Sequence, residues 1–381
     1  MNTSQLRQAI LDYSEEIGID KLGFASADVF ESLKQRLKRQ QELGYQSGFE
    51  KGSIEERTEP DRLLPEAKSI ISIALAYPSR TKDRPANKKE ERRGVFCRAS
   101  WGRDYHEVLK AKLTDLDAFI RERFPDAETN VMVDTGELSD RAVAERAGIG
   151  FSGKNTSIIT PEFGSYVYLG EIITNIPFVP DTPLEDGCGS CTKCLDACPT
   201  GALVQGGQLD AQKCLAFQTQ TKDFMPEEYR SKIGHFIYGF DTCQAVCPYN
   251  KHMDVHKHPE FEPDLDVAKP KLKPMLRISN REFKETFGHV AGSWRGKKPL
   301  QRNALIALGN DRDTASVDEI ISVMSNDPRP VIRGTAAWSL GKIGTEEAYA
   351  AIKDAMKQEQ DDQVVEEMEK GLTFQEVTLT D

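Results

Sequence analysis

One run of cysteines limits what this chain can fold into. It reads Cys188-Gly189-Ser190-Cys191-Thr192-Lys193-Cys194-Leu195-Asp196-Ala197-Cys198-Pro199. The C-x2-C-x2-C-x3-C-P spacing is one by which thiolates hold 4Fe–4S clusters: the first three ligate one cluster and the fourth crosses to another. The run therefore requires a partner set, which arrives as Cys243-Gln244-Ala245-Val246-Cys247-Pro248. A structural zinc site has no use for a fourth cysteine at x3 followed by proline. Residues 1–20 read as an amphipathic helix carrying acids, not as a signal peptide, so disulfides are out of place as well.

Ligand counting exposes a gap. Two clusters take four thiolates each, and the region offers seven: Cys188, Cys191, Cys194, Cys198, Cys214, Cys243 and Cys247. A second complete run would place cysteines where Ile237 and Phe240 stand. Cys214 can replace one of them, but a phenyl ring at Phe240 cannot bind iron. The crossing rule assigns Cys188, Cys191, Cys194 and Cys247 to the first cluster and Cys198, Cys214 and Cys243 to the second. The second cluster then has an open iron, a non-cysteine ligand or one iron fewer.

The rest of the chain is long enough for two or three domains at 381 residues. No run approaches the length of a membrane span, and a cytoplasmic protein is expected. A net charge of −11 argues against general nucleic-acid binding and directs attention to local charge. Leu6, Ile10, Tyr13 and Ile17 recur at helical spacing, with Ser4 as expected N-cap and Gly18 as stop; a second helix is expected over 31–43. Ser69 to Tyr77 is a nearly continuous apolar run closed by Pro78, which suits a strand buried on both faces. A basic polar loop follows over 80–93, then a helix over 107–124 and strands over 130–134 and 166–174. This is an α/β layer pattern, and in open α/β sheets ligands gather beyond the carboxyl ends of strands, where Asp134 falls.

Three motifs nearby are weak. Asp134-Thr135-Gly136 spells the aspartic-protease triplet, but that chemistry needs two carboxylates and the chain has one copy. Gly148-Ile149-Gly150-Phe151-Ser152-Gly153 matches G-x-G-x-x-G, yet it follows a helix expected over 139–147 instead of a strand. With Lys154 it nearly forms a P-loop, except that Asn155 takes the magnesium-binding Ser/Thr position.

Beyond Pro259 the texture changes. Pro299 to Gly309 is echoed by Pro330 to Gly341 at an offset of 31 residues, each copy a helix with small residues on one face. That is a short HEAT-like pair. No acid occurs from His289 to Asn310, while Arg295, Lys297, Lys298 and Arg302 gather near Trp294. Cations beside an aromatic suit a phosphate backbone with an unstacked base; a solvated helix entry with a core tryptophan is the plainer alternative.

Several segments together resemble the epoxyqueuosine reductase family. They are Glu55-Glu56-Arg57-Thr58-Glu59-Pro60, Trp101-Gly102-Arg103-Asp104-Tyr105-His106, Val133-Asp134-Thr135-Gly136, Ala144 to Thr156, Tyr168-Leu169-Gly170-Glu171, the cysteine run, and Ile237 to Gln244. The resemblance covers about residues 1–255 strongly and the tail more loosely. It implies an α/β N-terminal cobalamin-binding catalytic domain over 1–180, a ferredoxin-like two-cluster 4Fe–4S module over 181–258 and a C-terminal α-helical HEAT-like, tRNA-contacting domain over 259–381. It also implies reduction of epoxyqueuosine to queuosine at the wobble position of tRNA, with cob(I)alamin as nucleophile and electrons relayed by the clusters. Asp134 becomes the expected proton donor, provided burial raises its pKa. Cys97 is the one cysteine outside the module and an expected wall of the active site; a lone cysteine is otherwise a small buried hydrophobe. Arg57, Lys154, Asn155 and Ser157, with Cys97 and Asp134, are expected cobalamin neighbours. Trp294, Arg295, Lys297, Lys298 and Arg302 are expected tRNA contacts, and a flavodoxin or ferredoxin is the expected donor to a monomer. Phe240 stands where the family usually has cysteine, and Ala99 where it has tyrosine. Two other readings compete: a corrinoid iron–sulfur reductase acting on a small molecule, and a non-catalytic electron carrier fused to an RNA-binding tail.

Overall fold

A computed structural model describes residues 2–83, 91–134 and 136–378. Part of the basic loop expected over 80–93, and Thr135 of the protease-like triplet, lie outside the described residues. The chain forms two compact units that interleave in sequence: Met1–Arg80, Arg103–Cys214 and Thr242–Glu262 make the first, and Thr81–Gly102, Leu215–Asp241 and Pro263–Asp381 the second.

The first unit is built on a four-stranded sheet. Its strands are β1 (Lys21–Ser26), β2 (Ser69–Ala76), β3 (Thr129–Met132) and β4 (Val167–Thr174), in the order β1-β2-β4-β3. Every residue of β2 is buried, as its unbroken apolar run requires. All three pairings are antiparallel, so the rule for parallel α/β sheets does not place Asp134. An apolar run marks double-sided burial but carries no strand direction. The longer helices of this unit are α1 (Thr3–Glu16), α2 (Glu31–Glu42), α3 (Tyr105–Arg123) and α4 (Asp140–Arg146). Helix α1 begins earlier than Ser4 suggests, because Asn2 and Gln5 form a reciprocal capping box. Helix α3 lies on the sheet face carrying Gly170, where a Cβ would press on Leu109 and Leu113. Helix α4 covers the other face, its end so close to β1 that a Cβ at Gly23 would strike the carbonyl of Ala147. The glycines after α4 serve a hairpin, Phe151–Ser152 against Ile158–Ile159, and not a nucleotide loop. A Cβ at Gly150 would sit 2.6 Å from the carbonyl of Ile159.

The second unit is mostly helical. Helices α5 (Lys297–Asn310), α6 (Val317–Asn326), α7 (Pro330–Ile343), α8 (Glu346–Met356) and α9 (Asp362–Thr378) include both repeat copies, as α5 and α7. Small residues let them approach closely: Gly309 faces Ser339, and Gly341 faces Gly371. Their apolar faces share one core with Phe96, Trp101 and Ile237 of the same unit. A buried ion pair, Arg230 with Glu367, ties the segment before Asp241 to α9. No helix among the described residues is long and apolar enough to cross a membrane.

Candidate active site and cluster cavity

Asp134 lies two residues beyond β3 with φ 43°, a left-handed turn that aspartate tolerates better than most residues. Its backbone N–H donates to Oδ2 of Asp140, the first residue of α4, at 2.9 Å. Its side chain is 59% exposed and meets the start of α3. There Asp104 caps the helix by accepting from the His106 N–H, which sets two successive side chains beside Asp134. The Tyr105 hydroxyl donates to Asp134 Oδ2 at 2.6 Å, and His106 Nε2 stands 3.3 Å from the same oxygen. His106 Nδ1 lies 2.7 Å from Asp104 Oδ1, and Tyr105 is stacked flat on Tyr168.

The charges follow from these contacts. Burial opposes a charge on His106, but its bonds to Asp104 and Asp134 outweigh it and lift the imidazole to about 9. The His106 bond, with help from Tyr105, holds Asp134 below the usual carboxylate range. The requirement that burial keep Asp134 protonated is therefore not met. Two donors converge on an accessible carboxylate, and the proton resides on His106. Both residues stand in the Trp101–His106 segment, but their meeting with Asp134 is a tertiary event. Beneath them burial, reinforced by Asp134, raises Asp140 to about 7, and burial with Asp140 raises Glu171 well above its ordinary range.

The cysteines form a second centre in the same unit. Cys188, Cys191, Cys194 and Cys247 line one cavity of about 150 Å³, together with Lys154 and Asn155. The Cys191 N–H closes a tight turn on the Cys188 carbonyl, and the short helix Lys193–Asp196 packs against Thr242–Ala245, which leads into Cys247. Burial and the neighbouring Cys188 thiol push both Cys194 and Cys247 up, a strain that ligation as thiolates relieves. Four convergent sulfurs in a small cavity fit a 4Fe–4S cluster. Burial raises Cys198, but backbone N–H groups of Leu203 and Thr200 outweigh it and bring the thiol down, which suits a metal-binding sulfur. The side chain of Gln244 donates to Ser165.

The remaining expected residues scatter. Lys154 donates its N–H to Cys188 Sγ at 3.4 Å and its ammonium to the carbonyls of Gly189 and Cys191. Asn155 donates to the carbonyl of Cys243 and accepts from the N–H of Ser157. Arg57 is half-buried, and burial lowers it. It lies near enough to depress Arg141, whose guanidinium donates to the carbonyl of Thr156. Neither arginine has a carboxylate at ion-pair distance among the described residues.

In the second unit Cys97 caps the short turn Arg98–Ser100, with Sγ so close to Gly239 that any Cβ there would strike it. Burial, then the charge of Asp241, pushes its thiol up to about 12. Trp294 is 54% exposed, with its ring under the Arg295 guanidinium and its N–H on Gln220. Lys297 donates to the carbonyl of Ile278. Arg302 must be withdrawn from the basic surface: it is fully buried and donates to the carbonyls of Gln218, Thr221 and Asp223. Its position in α5 turns it inward, which sequence charge alone does not reveal.

A thiol cavity, a cationic imidazole on an open carboxylate and a stack of paired helices define an iron–sulfur oxidoreductase with a HEAT-repeat tail. Family models agree segment by segment: epoxyqueuosine reductase QueG matches residues 57–135, a 4Fe–4S double cluster binding domain 187–250, and HEAT repeats 296–373. The chain belongs to the epoxyqueuosine reductase family. It is 64% identical to the Bacillus cereus epoxyqueuosine reductase over 98% of both chains, and 30% identical to that of Escherichia coli over 98% of both. A solved epoxyqueuosine reductase with an epoxyqueuosine-modified tRNA-Tyr stem loop superposes with a TM-score of 0.96 at 61% identity, covering 98% of this chain and all of that one. A Bacillus subtilis structure, described as having its Asp134 catalytic loop swung out of the active site, gives the same TM-score at 60% identity and the same coverage. The chain is thus an oxidoreductase that reduces epoxyqueuosine to queuosine in tRNA.

Proposed function

We propose that the reduction uses cobalamin and two iron–sulfur centres, with His106 and Asp134 as the proton-transfer unit. The observation that carries this is the convergence of Tyr105 and His106 on one oxygen of Asp134. Removing the epoxide oxygen breaks both its carbon–oxygen bonds and forms a carbon–carbon double bond, consuming two electrons and two protons and releasing water. When bound, reduced cobalamin supplies the nucleophile and the electron pair at the ring carbons, and the clusters supply electrons singly.

The chain's own groups do the rest. Asp134 reaches the leaving oxygen, His106 supplies the proton through it, and Tyr105 holds the carboxylate in place. His106 at about 9 is charged at neutrality, so a proton is on hand without burial of Asp134. The guanidinium groups of Arg57 and Arg141, without a carboxylate at ion-pair distance among the described residues, fit an anionic cofactor, and Arg57, Lys154, Asn155 and Ser157 of the first unit would hold the amides and phosphate of cobalamin. Residues 1–180 would form that cofactor's domain, 181–258 the ferredoxin-like module and 259–381 the tRNA-contacting part. Cys188, Cys191, Cys194 and Cys247 would hold one cluster, and Cys198, Cys214 and Cys243 the other. Trp294 with Arg295, Lys297 and Lys298 would receive the anticodon stem-loop. A flavodoxin or ferredoxin would deliver electrons to a cytoplasmic monomer.

A visible spectrum of anaerobically purified protein mixed with cobalamin tests the reading. Cluster absorbance together with a bound corrin supports it. Protein with iron and sulfide that turns over the modified tRNA without cobalamin would remove the cofactor from the scheme.

A further inference from the structure

A row of side chains crosses the sheet directly under the active site. In register, Gly23 of β1, Ser72 of β2, Glu171 of β4 and Met132 of β3 stand side by side. They point to the face covered by α4, as the close approach of Gly23 to Ala147 requires. The row is apolar at its ends and polar at its centre. Glu171 is wholly buried, and among the described residues neither of its carboxyl oxygens has a hydrogen-bond donor; Ser72 Oγ beside it is buried without a partner among them too. A carboxylate in that position would lose its hydration with nothing in return, a cost far larger than that of a neutral acid. What Glu171 does meet is the carboxyl of Asp140. Two carboxyl groups in contact, one of them wholly buried, strongly disfavour being ionised together, and a shared proton turns their repulsion into a hydrogen bond. Asp140 also reaches the active site, because its Oδ2 accepts the backbone N–H of Asp134 at 2.9 Å.

We propose that Glu171 and Asp140 share one proton beneath Asp134, and that this pair holds the left-handed Asp134 turn in its working position. The inference deepens the assignment of Asp134 to proton transfer and rests on it. Glu171 and Asp140 are positioning residues: they touch the backbone of the turn, not the substrate. When the shared proton leaves, a second negative charge appears under a carboxylate already charged, and the turn loses its anchor. The titratable groups that face the pair are Asp134 from the loop, Tyr105 from α3 and Arg141 from α4; His106 acts on Asp134 from above. Asp140 ionises first, at about 7, and the proton that remains is held by Glu171, which burial and Asp140 raise well above its ordinary range; the two acids titrate as a unit.

The test uses the full-length enzyme loaded with its clusters and cobalamin, assayed on the modified stem-loop under excess reductant. Wild-type kcat should hold through pH about 7, where Asp140 ionises and one proton stays between the acids, and should fall on the alkaline side as that last proton leaves. Glu171→Gln is a permanently neutral isostere that still donates to Asp140. It should match wild type at neutral pH and lack the share of the alkaline fall that belongs to the shared proton, leaving only that of His106, about 9. Glu171→Leu, which offers Asp140 no donor, should be slowed at every pH. KM for the stem-loop should not change in either variant. A second readout needs no turnover: an infrared difference spectrum of wild type minus Glu171→Gln at neutral pH should contain the carbonyl band of a protonated carboxylic acid. Superimposable pH profiles, or no such band, would overturn the proposal. Should Asp134→Ala remain active while the band is present, the pair stands and the assignment of Asp134 falls.

Discussion

Asp134 Oδ2 accepts the hydroxyl of Tyr105 at 2.6 Å while His106 Nε2 stands 3.3 Å away, so one oxygen gathers two successive residues of a helix start. Helix capping by Asp104 makes this possible, because it fixes the first turn of α3 and therefore the directions of both side chains. No hydrogen bond reaches the other oxygen of Asp134 among the described residues.

Removing that carboxylate should stop turnover. Asp134→Ala and Asp134→Asn should each lose at least about a hundredfold in kcat, with iron content and bound corrin unchanged. Tyr105→Phe, which removes one donor, should lose about tenfold. Single-turnover kinetics on the modified stem-loop checks both; near-normal turnover of Asp134→Ala would take the residue out of the chemistry.

His106 gives the alkaline dependence its sign. Its folded value of about 9 lies above the unperturbed imidazole near 6.5. Its contribution to stability is therefore complete below pH about 6.5 and lost as pH rises through about 9. His106→Asn should remove both this stability slope and the activity limb near 9. Urea unfolding at a series of pH values, beside the rate profile, reports the two separately.

The buried acids work in the same direction over a lower window. Both are raised, so their stabilisation is complete below the ordinary carboxylate range and is lost as pH rises, for Asp140 through about 7 and for Glu171 above its ordinary range. The slope should approach at most about 2.7 kcal/mol per pH unit where both acids keep protons that the unfolded chain has lost, about 1.4 from each, and Glu171→Gln should remove one share. A wild-type midpoint that does not move across this window would contradict the raised values.

Iron analysis addresses the cysteine count. Cys194→Ala should cost the iron of one cluster and most turnover, because it opens the four-thiol cavity. Phe240→Cys should raise iron per chain and the resistance of the second centre to chelators, if a thiolate there supplies the fourth ligand that the cysteine count lacks. Unchanged iron in Phe240→Cys would mean that the three remaining cysteines already hold a complete cluster.

Arg302 and Lys298 should behave oppositely although both lie in α5. Arg302→Ala leaves several buried carbonyls without donors and should cost about 3–5 kcal/mol of stability. Lys298→Ala should leave unfolding within about 0.5 kcal/mol of wild type. It should weaken stem-loop binding and lower the salt slope by about one. Chemical denaturation and salt-dependent binding distinguish the two roles.

Much of the fold was legible beforehand. The buried strand over Ser69–Ala76, the helix from Asp140 and the repeat helices α5 and α7 follow from runs and periods that local chemistry imposes. Sheet direction was not legible, since an apolar run reads the same in parallel and antiparallel company. Nor was the inward turn of Arg302, whose surroundings come from segments about eighty residues away.

The cysteine spacing by itself determined that this protein handles electrons through iron and sulfur, because ligands a few residues apart can reach one cluster whatever the rest of the chain does. Segment by segment it also determined the family. Only the tertiary structure decided where the proton sits. Asp134, His106, Asp140 and Glu171 come from a loop, two helices and a strand, and the charge on each is set by neighbours that sequence distance does not reveal.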